Sequence, residues 1–410
     1  MTTPICAVSR ASILTGQWER RHGVHDFDTP LSPAAFARTY PARMKAAGYV
    51  TGFVGKWGLG GPLPEREFDY WAGFGGQGLY WEPGKPDHLT PRQTEQAQSF
   101  LRTPAEPFCL SVSFKAPHAV DDAPRLFQPE PEDEALYAGV EIPRPRTATE
   151  EDFARQPEFI RRSEGHLRYL SRWTPALFGA TARDYYRLVT GLDRAVGRLL
   201  ATLEERGVAE RTVVVFASDN GLFMGEHGLA DKWLVHEESI RVPLIVRWPG
   251  LAASLRGRTV DAMVLNTDLA PTLLEAAGLE PDAETDGVSL VSLLLGSSEA
   301  PRKSFLYEHS FQVPGVVYIP EGLGVRTRRF TYVRYPKEGD PPYEQLFDLA
   351  TDPWQENDLL HPTPGLPRAL SADAVREEAD RLRRELELSE QSFREAPETP
   401  AAPGMPARRP

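Results

Sequence analysis

The chain has 410 residues, 41% hydrophobic and 25% charged, with a formal net charge of −12. That length suits one large domain or two modest ones, and the acidic balance argues against a surface built for the phosphate backbone of nucleic acid. No run nears the roughly twenty apolar residues that span a bilayer, no charged-then-apolar segment opens the chain, and two cysteines, Cys6 and Cys109, exclude a disulfide framework and a thiolate zinc site.

In chain order, the first feature is Cys6, just before a helix start. The helix N-terminus and Arg10 would both favour its thiolate. An unpaired cysteine is as readily a small buried hydrophobe, and the residues alone leave both readings open. Strands follow at Tyr49 to Gly55 and Phe108 to Phe114, apolar almost continuously and so expected to be buried. A helix is expected over Arg183 to Arg206, where Leu188, Leu192, Val196, Leu199 and Leu203 repeat at helical spacing and Gly207 stops it. Strands at Thr212 to Ala217 and Pro243 to Trp248 come next, then a helix from Asp268 to Ala277 before Gly278.

After residue 296 the pattern changes to shorter, antiparallel strands, Phe305 to His309 and Val325 to Tyr335. An amphipathic helix over Ala372 to Leu388 presents Val375, Leu382 and Leu386, and the Pro/Ala-rich residues from Glu395 onward are expected to be disordered. Strands alternating with helices predict an α/β fold, a mostly parallel central sheet flanked by helices. The expected units are a catalytic core at 1–295, a small C-terminal subdomain with an antiparallel sheet at 296–370, and a terminal helix and tail at 371–410.

In such sheets ligands bind beyond the carboxyl ends of the strands. Here Lys56 follows the first strand, His118 the second within Lys115-Ala116-Pro117-His118, and Asp219-Asn220-Gly221 the third. Each alone reads as a surface charge or a turn. Their convergence on one sheet edge points to a site.

The N-terminal stretch Cys6-Ala7-Val8-Ser9-Arg10-Ala11-Ser12-Ile13-Leu14-Thr15-Gly16 resembles the signature of the type I, formylglycine-dependent sulfatases, of the alkaline-phosphatase-like superfamily. Further segments match that family in order: Gly55-Lys56-Trp57-Gly58-Leu59-Gly60, Phe68 to Phe74, Pro117-His118, Ser218 to Gly221, Gly225-Glu226-His227-Gly228-Leu229 leading to Lys232, Glu237 to Pro243, Asp268 to Thr272, and Leu346 to Leu349 with Asp352-Pro353. The resemblance implies a sulfuric ester hydrolase in which Cys6 becomes Cα-formylglycine through a formylglycine-generating enzyme, and whose hydrate attacks the sulfur of a sulfate ester. It implies that Arg10 orients the modified side chain, that Lys56 and Lys232 hold sulfate oxygens, and that His118 protonates the leaving alcohol, its ordinary pKa lying near neutrality. Asp219, Asn220 and the modified Cys6 would be oxygen ligands of Ca²⁺ or Mg²⁺, and His227 would border the substrate. The segment ahead of Lys232 resembles glycan-acting members, so the expected partner is a small-molecule or glycan sulfate ester.

Three departures from the family pattern stand out. Val8 replaces Pro or Ala. Gly58 stands where the family carries a second histidine, leaving His22 or His227 as the nearest replacement bases. Only five residues precede Cys6, so the family's first strand, with its pair of metal-binding aspartates, is not in this sequence. The expectation is that the chain as given begins late, that the strands beside the missing one lack a neighbour, and that export, the habit of the family, would have depended on a signal lost with it. The alternatives are a formylglycine-dependent phosphonate monoester or phosphodiester hydrolase, and a sulfatase-like protein without catalysis. Substrate choice is expected from the loops Gly75 to Pro86 and Asp121 to Thr174.

Overall fold

The computed structural model describes residues 1–103, 106–121, 123–311, 318–366 and 369–395; the expected tail from residue 396 lies outside them. Strand β1 (Val50–Lys56) is a run of β-branched, aromatic and glycine residues, buried from Thr51 onward. It pairs in parallel with β2 (Tyr70–Phe74) on one side and β3 (Phe108–Ser113) on the other, with Val54 opposite both Ala72 and Val112. Parallel pairing puts the C-terminal ends of all three on one edge, which is where Lys56 and the segment from Lys115 to His118 emerge.

On one face of this sheet Phe53, Trp57, Phe68 and Trp71 form an aromatic cluster, Phe53 stacking on Trp71 at 5.1 Å between ring centroids. On the other, Phe100 from the helix Leu89–Arg102 reaches Gly52, where a Cβ would come within 2.8 Å of its ring. The long helix Pro175–Glu205 lies against that helix, joined by a 2.8 Å bond from Gln98 Nε2 to Thr202 Oγ1. It begins at Pro175 rather than Arg183, because proline's fixed φ suits a first helical position and Phe178 and Ala182 extend the buried stripe before the leucines begin.

Strand β4 (Val214–Ala217) is followed by the short ribbon of β5 (Phe223–Met224) and β6 (Ala230–Asp231), and then by β7 (Leu244–Arg247). The parallel sheet of β1, β2 and β3 with its flanking helices is the α/β core expected from the sequence, and beside it, among the described residues, β4 and β7 pair antiparallel, Phe216 facing Ile245. The structure corrects the expectation that β3, β4 and β7 are buried: their residues are partly exposed and Ile245 is 63% exposed. Among the described residues β3 pairs only with β1 and β4 only with β7, so each keeps an open flank. The region from Asp121 to Thr174, read as loop, carries three helices, Glu150–Arg155, Glu158–Arg161 and Glu164–Arg172, the first capped by Thr149 accepting from the Asp152 amide at 3.0 Å.

The C-terminal antiparallel sheet contains β8 (Ser304–His309), β9 (Gly322–Thr327), β10 (Phe330–Tyr335) and β11 (Tyr343–Asp348), in the order β11-β10-β9-β8. The expected single strand from Val325 to Tyr335 is two, because the Thr327 hydroxyl accepts from the amides of Phe330 (2.8 Å) and Arg329 (3.3 Å) and turns the chain there. The helix Ala372–Glu395 runs past the expected Leu388 and packs Val375, Ala379, Leu382 and Leu386 on Leu306, Val325, Tyr332 and Leu346. No described helix is long and apolar enough to cross a membrane.

Candidate active site

The helix Cys6–Thr15 starts with Cys6 itself. Its N-cap, Ile5, offers no side-chain acceptor and its first turn has no acidic residue, so the partial positive charge of that helix end is left for whatever lies beside Cys6. The other end closes at Gly16, whose φ of +72° and crowding against Thr285 (2.8 Å from a Cβ) leave room only for glycine.

Around Cys6 the strand ends converge. Lys232 Nζ lies 3.9 Å from Cys6 Sγ. Lys56, 2% exposed, donates from Nζ to Gln77 Oε1 at 2.6 Å. Arg10 donates from Nη1 to the Lys56 carbonyl at 2.9 Å and to Ser113 Oγ, and pairs through Nη2 with Asp219 Oδ2 at 2.8 Å. His118 Nδ1 is 2.7 Å from the Ala119 carbonyl, which can only accept, so Nδ1 bears the proton and Nε2 is the free ring nitrogen. Lys115 Nζ donates to the carbonyls of Gln77 and Ala119, both at 3.1 Å, and sits 5.1 Å over the Tyr80 ring.

This crowd of cations sets the protonation states. Burial would raise the Cys6 thiol, but Lys232, Lys56 and Arg10 together hold it below its ordinary value. Burial lowers Lys56, and burial with Lys56 nearby brings Lys115 down to about 8. His118 falls to about 3, through burial and then Lys232, Lys56 and Lys115. Asp219 lies at about 2: burial opposes its charge, and Arg10, Lys56 and Lys232 outweigh the burial. Four cationic side chains face one carboxylate, which is the electrostatics of an anion pocket.

The described geometry meets its counterpart in known proteins. A family model described as sulfatase matches residues 1–279, and one described as N-sulphoglucosamine sulphohydrolase, C-terminal, matches residues 225–366. The chain belongs to the sulfatase family. It is 28% identical to an N-acetylglucosamine-6-O-sulfatase of Bacteroides thetaiotaomicron, over 86% of this chain and 73% of that one, and 28% identical to a ulvan-active sulfatase of Formosa agariphila, over 87% and 68%. A structure solved with its substrate D-glucosamine-2-N,6-O-disulfate superposes with a TM-score of 0.81 at 25% identity, covering 96% of this chain and 90% of that one. A phosphonate monoester hydrolase from Silicibacter pomeroyi shares the fold, with a TM-score of 0.74 at 22% identity over 96% and 86% of the two chains.

Of the residues read from the sequence of this sulfatase, the structure brings Cys6, Arg10, Lys56, Lys232 and Asp219 together, with His118 and Asn220 on the adjoining loops. It does not bring His227, whose fully buried ring packs against Phe223 and His236, 5.0 Å from the latter, beside Gln156. A ring enclosed on all sides has no face for a ligand. His22 is no spare base either: Nε2 bonds Ser12 Oγ at 3.1 Å and Nδ1 accepts from the Val24 amide at 3.1 Å. The place of a side chain at Gly58 is taken by Arg10, since a Cβ there would lie 2.8 Å from Arg10 Cδ and φ is +78°. Lys115, Gln77 and Ser113 were missed by sequence reasoning. Lys115 stood in the same quartet as His118, and its position just past a strand was the available signal.

Sulfatases as a family use a formylglycine and a divalent cation. Cys6 is a free thiol at a cation-lined helix N-terminus and suits the first. The second has Asp219, already committed to Arg10, and Asn220, whose Oδ1 is buried without a partner. A hard cation takes about six or more oxygens, and among the described residues no three His, Cys, Asp or Glu are grouped to hold a metal. The donors present do not complete a cation shell.

Proposed function

We propose that this sulfatase hydrolyses sulfate monoesters of carbohydrates at the pocket centred on Cys6. The observation that carries the reading is Lys232 Nζ at 3.9 Å from Cys6 Sγ, at a helix N-terminus ringed by Lys56, Lys115, Arg10 and His118. A Cα-formylglycine made from Cys6 by a formylglycine-generating enzyme would supply, as its hydrate, one hydroxyl to attack sulfur as the alcohol leaves and a second whose return to the carbonyl would expel sulfate.

The chain's own residues do the rest. Lys56 and Lys232 are free to take sulfate oxygens, Lys56 by exchanging Gln77 for the ligand, and they offset charge that grows as the ester bond breaks. Arg10, pinned by Lys56, Ser113 and Asp219, fixes the first helical turn and with it the attacking atom. His118 holds its proton-bearing Nδ1 on Ala119, so Nε2 is the atom that takes a proton when sulfate enters and passes it to the leaving alcohol. The carbohydrate class is supported by the relatives, an N-acetylglucosamine-6-O-sulfatase and a ulvan-active sulfatase.

The test is co-expression with a formylglycine-generating enzyme, peptide mass spectrometry at Cys6, and turnover of 4-nitrophenyl sulfate, the phosphate diester bis(4-nitrophenyl) phosphate and N-acetylglucosamine 6-sulfate. Conversion of Cys6 with preference for the sulfates supports the reading. Converted protein that turns over only the phosphate ester favours the phosphonate and phosphodiester class, and converted protein inert towards all three overturns catalysis.

A further inference from the structure

The backbone beside Lys232 is strained on both sides. Asp231 (φ +65°) and Trp233 (φ +85°) both occupy the left-handed region without being glycine. Such conformations persist only where the surroundings over-determine them, and they gather at functional sites. The surroundings here are specific. The buried Asp231 carboxylate accepts from Arg172 Nη1 at 2.7 and 2.9 Å and from Arg168 Nη1 at 2.5 Å. The Trp233 carbonyl accepts from Tyr307 Oη, and its ring lies under the Arg168 guanidinium at 5.3 Å.

The two arginines stand one turn apart on the helix Glu164–Arg172, on one face of it. Glu164 anchors Arg168 through Nε at 2.6 Å. The same pair also reaches Asp121, three residues past His118: Arg172 Nη2 donates to Oδ1 at 2.8 Å, and Arg168 Nη1 is 3.6 Å from Oδ2. One arginine pair thus fastens both the turn that carries Lys232 and the loop that carries His118. A lysine has four free side-chain torsions, and its ammonium is held in place only as well as its backbone is.

We propose that Arg172 and Arg168 are positioning residues of this active site: through Asp231 they hold the strained turn that aims Lys232 at the sulfate pocket, and through Asp121 they fix its spacing from His118. Neither arginine touches the sulfate. The inference rests on the sulfate-ester reading of the pocket, and its test separates the two.

The test is a double-mutant cycle read first by equilibrium binding of inorganic sulfate, using Arg172→Lys, Lys232→Ala and the double variant. Arg172→Lys is expected to weaken sulfate about tenfold when Lys232 is present and to have no further effect when it is absent. Equal losses in both backgrounds would show a merely structural arginine and overturn the proposal. Should Arg172→Lys fail to fold, Arg168→Lys replaces it in the same cycle with the same criteria. Asp121→Asn, at a partly exposed position, is expected to lower kcat on 4-nitrophenyl sulfate with KM changed less than about twofold; an unchanged kcat would overturn the His118 half. Protein that binds sulfate but turns over no ester refutes the functional reading, while the binding cycle still decides the role of the arginines.

Discussion

His118 carries no charge at physiological pH in the pocket, because burial and three lysines bring it to about 3. A bound sulfate offsets those lysines and raises it, so binding draws a proton from solvent, and linkage then requires affinity to rise as pH falls from the raised value towards the free pocket's value of about 3. Lys115, at about 8, adds the same sign on the alkaline side. Calorimetry in two buffers of different ionisation enthalpy should show that uptake in the wild type and none below pH 7 in His118→Gln; identical slopes would refute it. Gly58 is a second residue open to test. Its φ of +78° and the Arg10 stem at 2.8 Å mean that Gly58→Ala should cost more than about 1 kcal/mol in urea unfolding and weaken sulfate by displacing Arg10. An alanine variant as stable as wild type would show that the loop relaxes freely. At this scale the sequence showed which residues are reactive but not which are available. His227 looked like Lys232, a polar side chain near a glycine turn, yet both are buried, His227 among Phe223 and His236 and Lys232 beside Cys6.

The sequence reading of the elements succeeded where one period dominated. The leucine repeat of Pro175–Glu205 and the apolar run of β1 were visible because the helix buries one face, at Leu188, Leu192 and Leu203, and the strand nearly its whole length. It failed where side-chain bonds set the boundary, as at Thr327, and where strands were short or mixed in polarity, as in β2 and in β11, whose Tyr343 and Glu344 hide its apolar Leu346 and Phe347. The terminal helix Ala372–Glu395 is open to a direct test. Leu382 and Leu386 are fully buried against β9, β10 and β11. Leu382→Ala should cost about 2–5 kcal/mol by removing packed methyls from that interface. Chemical denaturation checks it, and a loss under about 1 kcal/mol would mean that the helix is marginal to the sheet.

Across the whole molecule, stability should depend on pH through buried histidines. Burial holds His22, His118 and His309 at about 3 and His227 at about 4, and places His236 well below its ordinary value. The unfolded chain takes up protons near pH 6.5 that the folded chain refuses, so stability falls as pH drops below about 6.5. Two buried carboxyls act in the opposite direction. Glu308, at about 7, and Glu238, at about 8, keep a proton when folded that the unfolded chain loses above about 4.3, so the stability they lend is lost as pH rises through 7 and 8. Five histidines outweigh two glutamates between pH 6.5 and 5, and Tm should fall steadily over that interval; a flat or rising Tm would contradict it. By itself the sequence determined the fold class, the family and the reactive residues, because hydrophobic periods and a motif at fixed spacing are local properties of the chain. Only the tertiary structure decided which of those residues share a pocket, how Lys232 is held, and that His118 is neutral there. Those outcomes depend on burial and on charges brought together from strand ends far apart in sequence.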